Sequence, residues 1–347
     1  MRRVTAVLIA SPLDEELASR IARADERIEL LYDPAVVPES RYMGDIAGNF
    51  APDPARWAEL LGQAEVVFGI PGSSPQGLVD AVRGGPALRW LQARSAGAGQ
   101  QVAQALELDR SAVERVAVTT ASGVHAGPLA EFTLMGLLAF AKRLPRMQRD
   151  KARRYWPPQE QPSGELRGQT LLVVGAGAIG TEIARLAKAF GMTVLAVKRD
   201  VSEPVEHVDE LHSIERLHEL AGRADALVSV LPGTDATRGL IDAGVFAAAK
   251  PGAVFVNVGR GTAVDEDALV DALRGGTLAG AALDVFEQEP LPPESPLWEL
   301  ENVIVSPHDT ARVPDEVARQ VELFCDNLRR YLAGEELRNR VDLELLY

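Results

Sequence analysis

The chain has 347 residues, enough for two domains that each bury a core, and its composition is that of an ordinary globular protein. A formal net charge of −14 argues against bulk affinity for nucleic acid or an anionic membrane surface. The single cysteine, Cys325, excludes an internal disulfide, and no stretch is long and apolar enough to span a bilayer, so a cytoplasmic protein is expected.

Met1-Arg2-Arg3 and the apolar run 4–10 have the outline of a signal peptide, but the run is short and passes into Pro12-Leu13-Asp14-Glu15-Glu16. That reads as a first strand and a helix start. Strand-like runs follow at 28–32, 66–70, 88–93 and 116–119 with helical patterns between them, which predicts a compact open α/β sheet. Ser95-Ala96-Gly97-Ala98-Gly99 stands between an apolar strand and a helix at 100–106. Residues this small let successive backbone amides face an anion, the alternative being a close-packed turn. The loop 71–74, also after a strand, is a second candidate of that kind.

A long helical pattern runs from 125 to about 154, with Lys142, Arg146, Arg149 and Arg153 at helical spacing. Without interleaved aromatics this stripe reads as a solvated or intersubunit face and not as a nucleic-acid site. Pro157, Pro158, Pro162 and Gly164 then break the pattern into a linker or covering loop.

Residues 171–180, Leu-Leu-Val-Val-Gly-Ala-Gly-Ala-Ile-Gly, read as a buried parallel strand entering the glycine turn of a dinucleotide-binding helix. Gly175 permits the tight turn, Gly177 lets the backbone approach a pyrophosphate, and Gly180 allows close helix–strand packing; Ala178 and Ile179, at the helix start, are expected to bind the cofactor with them. An amphipathic helix and a strand at 193–197 follow, completing a βαβ unit. Where an NAD site carries an acidic residue for the ribose hydroxyls, this chain has Lys198 and Arg199. Two cations attract a 2′-phosphate, so NADP(H) is expected over NAD(H); Asp200 is the alternative ribose acceptor if the strand end is shifted.

Further strands at 226–231, 253–258, 279–285 and 303–306, with a helix at 265–274, predict a doubly wound parallel sheet. His207, His212 and His218 are five and six residues apart, which does not stack them on one helix face, and no metal site is expected. A terminal helix at 314–332 ends at Gly334, and Cys325 within it falls in an apolar pattern that predicts buried packing.

Three segments carry the chemistry: Val256-Asn257-Val258-Gly259-Arg260-Gly261-Thr262, Asp284-Val285-Phe286-Glu287-Gln288-Glu289-Pro290, and Ser306-Pro307-His308. Each follows a strand, and in an open α/β sheet ligands bind beyond the carboxyl ends of strands. Reducing a 2-oxo acid takes a hydride to the carbonyl carbon, a proton to its oxygen, and a cation for the carboxylate. Arg260 suits the last task, His308 the second, and Glu289 would orient the ring and favour its imidazolium. Taken singly, each also has a bland reading as a helix cap, a solvated turn or a structural histidine.

With these motifs in this order, the chain resembles the D-isomer-specific 2-hydroxyacid dehydrogenases, which include glyoxylate/hydroxypyruvate reductases. The resemblance runs from the 95–98 segment to the terminal helix. It implies a two-domain α/β fold, with a central Rossmann domain (122–308) inserted in a flavodoxin-like substrate domain (1–121 and 309–347), hinged so that the cleft closes over substrate. It implies catalytic roles for Arg260, Glu289 and His308, nicotinamide carboxamide contacts at Asp284 and Val258, and carboxylate binding at Ala96, Gly97 and Ala98. It also implies a homodimer through the 125–154 region. The activity implied is reversible reduction of a small 2-oxo acid to the D-2-hydroxy acid. Oxidation of formate or phosphite, and a cofactor-sensing corepressor or scaffold, are the alternatives on similar scaffolds.

One departure follows the histidine, where many relatives have a small or glycine-rich continuation: here it is Asp309-Thr310-Ala311-Arg312. The substrate side chain therefore stays open. Tyr42, Met43, Trp57, Trp156 and Trp298 are candidates to line its pocket, and their spacing selects none.

Overall fold

The computed structural model describes residues 4–37, 53–158 and 162–344; Tyr42 and Met43 lie outside them. The chain divides into two compact units, 1–124 with 314–347, and 125–313. The resemblance placed these divisions at 121 and 308.

The first unit is built on β1 (Thr5–Ile9), α1 (Glu15–Ala22), β2 (Ile28–Leu31), α2 (Pro54–Gln63), β3 (Val66–Phe68), α3 (Pro75–Gly84), β4 (Trp90–Gln92), α4 (Gly99–Val113) and β5 (Ala117–Thr119). The C-terminal stretch adds α11 (Glu316–Ala333). All strand pairs are parallel, in the order β2-β1-β3-β4-β5. This is the flavodoxin-like order, whose switch point lies between β1 and β3. Strand alternation serves two cores. Leu8, Val67, Leu91 and Val118 join Leu61, Leu78 and Val102 on one face. Val7, Phe68 and Trp90 join Leu17, Ile21, Phe324, Cys325 and Leu328 on the other. Cys325 is buried in that second core, as the apolar pattern around it predicts.

The second unit starts with α5 (Ala126–Ala141) and α6 (Leu144–Ala152). The wound sheet follows: β6 (Thr170–Val174), α7 (Ala178–Ala189), β7 (Thr193–Lys198), β8 (Glu210–Ser213), α8 (Leu217–Ala221), β9 (Ala226–Ser229), α9 (Ala243–Ala248), β10 (Ala253–Asn257), α10 (Glu266–Arg274), β11 (Leu278–Leu283) and β12 (Val303–Val305). The seven strands run parallel in the order β12-β11-β10-β9-β6-β7-β8. Two successive β-strand halves diverge from β6 and β9, the Rossmann arrangement. Asp265 caps α10 by accepting the Ala268 N–H at 3.0 Å.

Two sequence expectations are corrected. The helical pattern 125–154 is two helices, because Arg143 takes a left-handed φ of 59° and Pro145 opens the next helix at its first turn. The edge strand β8 was not foreseen: its four residues are all half-buried and carry no apolar alternation. The basic side chains of α6 are partly engaged, Arg146 with Asp150 and Arg149 with Glu301.

Candidate active site

The glycine turn behaves position by position as its spacing requires. Gly175 has φ 104°, and a Cβ there would stand 3.0 Å from the Val230 carbonyl oxygen. At Gly180 a Cβ would stand 2.2 Å from the Gly175 carbonyl oxygen, so α7 packs against the turn only through glycine. Gly177 differs: a Cβ there meets nothing within 4 Å. That residue and Ala178 are exposed, Ile179 is half-buried, and no side chain caps the helix. Uncapped amides at a helix N-terminus with open space before them fit a diphosphate. β7 ends at Lys198, with Arg199 exposed after it. Asp200 accepts the Ser202 N–H at 2.9 Å, and bonding to Ser202 holds its carboxyl below the ordinary range. Asp200 is thus a turn-forming residue at the strand end.

The second group of candidates stands at the carboxyl ends of β10, β11 and β12. Arg260 is presented by a loop that two glycines make possible. A Cβ at Gly259 would fall 2.6 Å from the Leu231 backbone, and one at Gly261 would fall 1.8 Å from the Phe286 carbonyl carbon. Asn257, the buried last residue of β10, ties the loop down: its Oδ1 accepts the Gly259 N–H at 3.1 Å and its Nδ2 donates to the Arg260 carbonyl at 3.3 Å. The half-buried guanidinium donates from Nη1 to the Gly259 carbonyl at 2.8 Å. Burial pulls Arg260 below its ordinary pKa, and the negative charges of Glu289 and Asp284 work against that pull.

Glu289 joins two groups. Its Oε1 accepts the Phe286 N–H at 3.1 Å and its Oε2 meets His308 Nδ1 at 2.7 Å. The second contact assigns the proton of the neutral ring to Nδ1 and turns Nε2 outward. His308 itself has φ 56°, in the left-handed region, where histidine is among the few tolerated side chains. The hydrogen bond from Glu289 raises the pKa of His308 above its ordinary value, against desolvation and the Arg260 charge. Burial pushes Glu289 upward, yet its bonds to His308 and the Phe286 amide leave it below the usual carboxylate range. Both shifts favour the charged forms, so the contact favours an imidazolium–carboxylate pair.

Asp284, 1% exposed, is held by Ser306 Oγ at 2.7 Å, Thr310 Oγ1 at 2.7 Å and the Thr310 N–H at 3.3 Å. Ser306 Oγ also lies 3.2 Å from Asp309 Oδ1. Buried Val258 gives its N–H to the Ser229 carbonyl. Asn257, Ser306 and Thr310 were not foreseen as site residues, although a buried polar residue ending an apolar strand is the signal that marks Asn257.

Ala96, Gly97 and Ala98 belong to the other unit, after β4. Ser95 Oγ accepts the Gly97 N–H at 3.1 Å, and Ala98 begins α4 without a side-chain cap. Of the tryptophans, Trp57 packs half-buried against its unit's core, whereas Trp156 is 90% exposed and Trp298 Nε1 donates to the Pro292 carbonyl.

Residues 134–309, about half of the chain, match the model for the NAD-binding domain of D-isomer specific 2-hydroxyacid dehydrogenases. The glyoxylate reductase of Aeropyrum pernix is 38% identical over 237 residues, 66% of this chain and 70% of that protein. The D-3-phosphoglycerate dehydrogenase of Methanocaldococcus jannaschii is 32% identical, the match covering 69% of this chain and 45% of that longer protein. Among solved structures, a D-isomer specific 2-hydroxyacid dehydrogenase from Xanthobacter autotrophicus, in complex with NADPH and MES, superposes with a TM-score of 0.77 at 28% identity, covering 99% of this chain and 100% of that one. An NADPH-dependent glyoxylate/hydroxypyruvate reductase from Sinorhizobium meliloti, in complex with NADP and sulfate, gives 0.74 at 26%, with the same coverage. The chain belongs to the D-isomer specific 2-hydroxyacid dehydrogenase family. It is an oxidoreductase with a Rossmann-type NAD(P)-binding domain. Among the described residues no helix is long and apolar enough to cross a membrane.

Proposed function

We propose that the chain reduces a small 2-oxo acid of the glyoxylate or hydroxypyruvate kind to the D-2-hydroxy acid, and catalyses the reverse, with NADP(H). The observation that carries this reading is the Glu289–His308 pair, 2.7 Å apart, with the charge of Arg260 acting on both. The bound cofactor supplies the hydride. His308, charged and oriented through Nδ1, gives its Nε2 proton to the carbonyl oxygen as it gains negative charge, and takes it back in the oxidative direction. Arg260 binds the carboxylate and polarises the carbonyl. Asp284 and Val258 hold the carboxamide of the nicotinamide, and the loop of Ala96, Gly97 and Ala98 serves as a carboxylate-binding element.

Lys198 and Arg199 at the end of β7 support the choice of NADP(H), as does the engagement of Asp200 with Ser202. Exposed Met135, Leu144, Met147 and Tyr155, on and just beyond α5 and α6, support a homodimer formed through that face. Oxidation of NADPH and NADH, followed at the nicotinamide absorbance band with glyoxylate, hydroxypyruvate, pyruvate and longer 2-oxo acids, tests the reading. Turnover is expected with NADPH favoured in kcat/KM, with that preference reduced in Lys198→Asp/Arg199→Ser. Arg260→Ala is expected to lose both substrate binding and rate. A protein that turns over none of these acids, or an Arg260→Ala variant with undiminished kcat/KM, would overturn it.

A further inference from the structure

In the first unit, a small hollow opens at the carboxyl ends of β1, β3 and β4, lined by Ser11, Gly69, Ser73, Arg94, Ser95 and Gln101 among others. Its position is the β1/β3 switch point of the sheet, where strand order reverses and open α/β sheets bind ligands. Gly69, with φ 96°, keeps the crevice open, since a Cβ there would press within 3.2 Å of Ser11.

Arg94 is the unusual member. It is only 9% exposed, yet no carboxylate hydrogen-bonds its guanidinium. Nε donates to Gln320 Oε1 at 2.8 Å and Nη1 donates to Ser11 Oγ, both neutral acceptors. The negative charge of Glu316 also acts on Arg94 through space, and Glu316 Oε1 accepts from Gln320 Nε2 at 3.0 Å. Of the five guanidinium N–H groups two are thus used, and the others have no partner among the described residues. Burial outweighs the opposing charge of Glu316, so an anion hydrogen-bonded to the guanidinium would relieve the cost of burying it. The lining adds hydroxyls from Ser11, Ser73 and Ser95 and contains no acidic residue. Ser95 precedes the uncapped N-terminus of α4 and Gln101 lies in its first turn; the helix runs regularly as far as a break at Asp109. The hollow encloses about 10 Å³, room for one oxygen of a bound anion.

We propose that this hollow is a carboxylate subsite: one oxygen of a small carboxylate enters it and accepts hydrogen bonds from Arg94 and the surrounding hydroxyls. The carboxylate comes either from a second acidic group on the substrate, which rests on the function proposed above, or from a free acid in solution.

Sodium acetate titrated into the full chain without cofactor, followed by calorimetry and ligand-observed NMR, tests the subsite. An Arg260→Gln background removes the other candidate carboxylate-binding arginine. Saturable binding is expected in that background, weakened by about 10- to 100-fold on adding Arg94→Gln, the loss expected for a charge-assisted hydrogen bond. Arg94→Lys restores part of it. Should Arg94 variants fail to fold, Ser73→Asp serves instead, because φ 46° at Ser73 tolerates aspartate and its carboxylate would occupy the hollow. Absence of saturable acetate binding in the Arg260→Gln protein, or binding untouched by both Arg94→Gln and Ser73→Asp, overturns the proposal.

The source is read from kcat/KM for 2-oxoglutarate against 2-oxovalerate. A ratio that falls in Arg94→Gln marks the substrate's own second carboxylate, and an unchanged ratio in a variant that has lost acetate binding marks a free acid. If neither of these acids is reduced, and glyoxylate and hydroxypyruvate are not reduced either, the proposed function fails while the acetate titration still judges the hollow.

Discussion

The seven-stranded sheet carries two working ends that are built differently. At its centre, the β6–α7 turn is made of backbone: six residues, three of them glycine, whose worth lies in the side chains they lack. At its edge, beyond β10, β11 and β12, the working groups are side chains drawn from positions as far apart as 260 and 308. Hydrogen bonds between neighbouring strand ends hold them there, from Asn257 along the Arg260 loop, from Ser306 and Thr310 on Asp284, and from Glu289 on His308. A site of the first kind fails by filling. A site of the second kind fails by losing a partner.

The largest expected effect is at the edge. His308→Ala should lower kcat by roughly 10²- to 10⁴-fold, the range of general acid catalysis, with the cofactor's affinity little changed; rapid kinetics and cofactor titration separate the two. At the centre the two exposed-to-buried extremes of the turn should part company. Gly180→Ala places a Cβ 2.2 Å from a carbonyl oxygen and should cost about 1–3 kcal/mol of stability, seen as a lower Tm. Gly177→Ala meets no protein atom, so its Tm should match the parent while KM for the cofactor rises by roughly tenfold, the cost of one obstructed hydrogen bond. Equal Tm losses in both would show that the turn is only a packing device.

The smallest effect is a displacement on the pH axis. His308 has a raised pKa, so its charged form persists above the ordinary histidine value and is lost as pH rises through the raised one. Glu289 is depressed, so its charged form is lost only as pH falls through that lower value. The ion pair contributes between these limits. Glu289→Gln should therefore move the alkaline limb of the reduction profile to lower pH, and an unmoved limb would show that Glu289 does not tune the ring.

This contrast also explains what could be read from the chain. The glycine turn is local, so five-residue spacing and an apolar strand suffice to recognise it. Arg260, Glu289 and His308 were legible only together, because each follows a strand of one parallel sheet. Their braces were not: Ser306 and Thr310 reach Asp284 across 22 and 26 residues, and nothing in a serine's neighbours announces such a partner. β8 escaped because an edge strand half-buried throughout has no apolar rhythm to display. The break at Arg143 had its sign in Pro145, overridden by the periodicity on either side.

The placement of α11 bears on how the protein is made. Val7, Phe68 and Trp90 lie toward the start of the chain, yet only part of the apolar cover over that face, Leu17 and Ile21, is local, and the rest comes from Val321, Phe324, Cys325 and Leu328. During synthesis the nucleotide-binding unit, which is one continuous stretch, emerges whole while the earlier sheet still lacks the cover of α11. The domain begun first is thus completed last, and in the interval that face of its sheet is only partly covered.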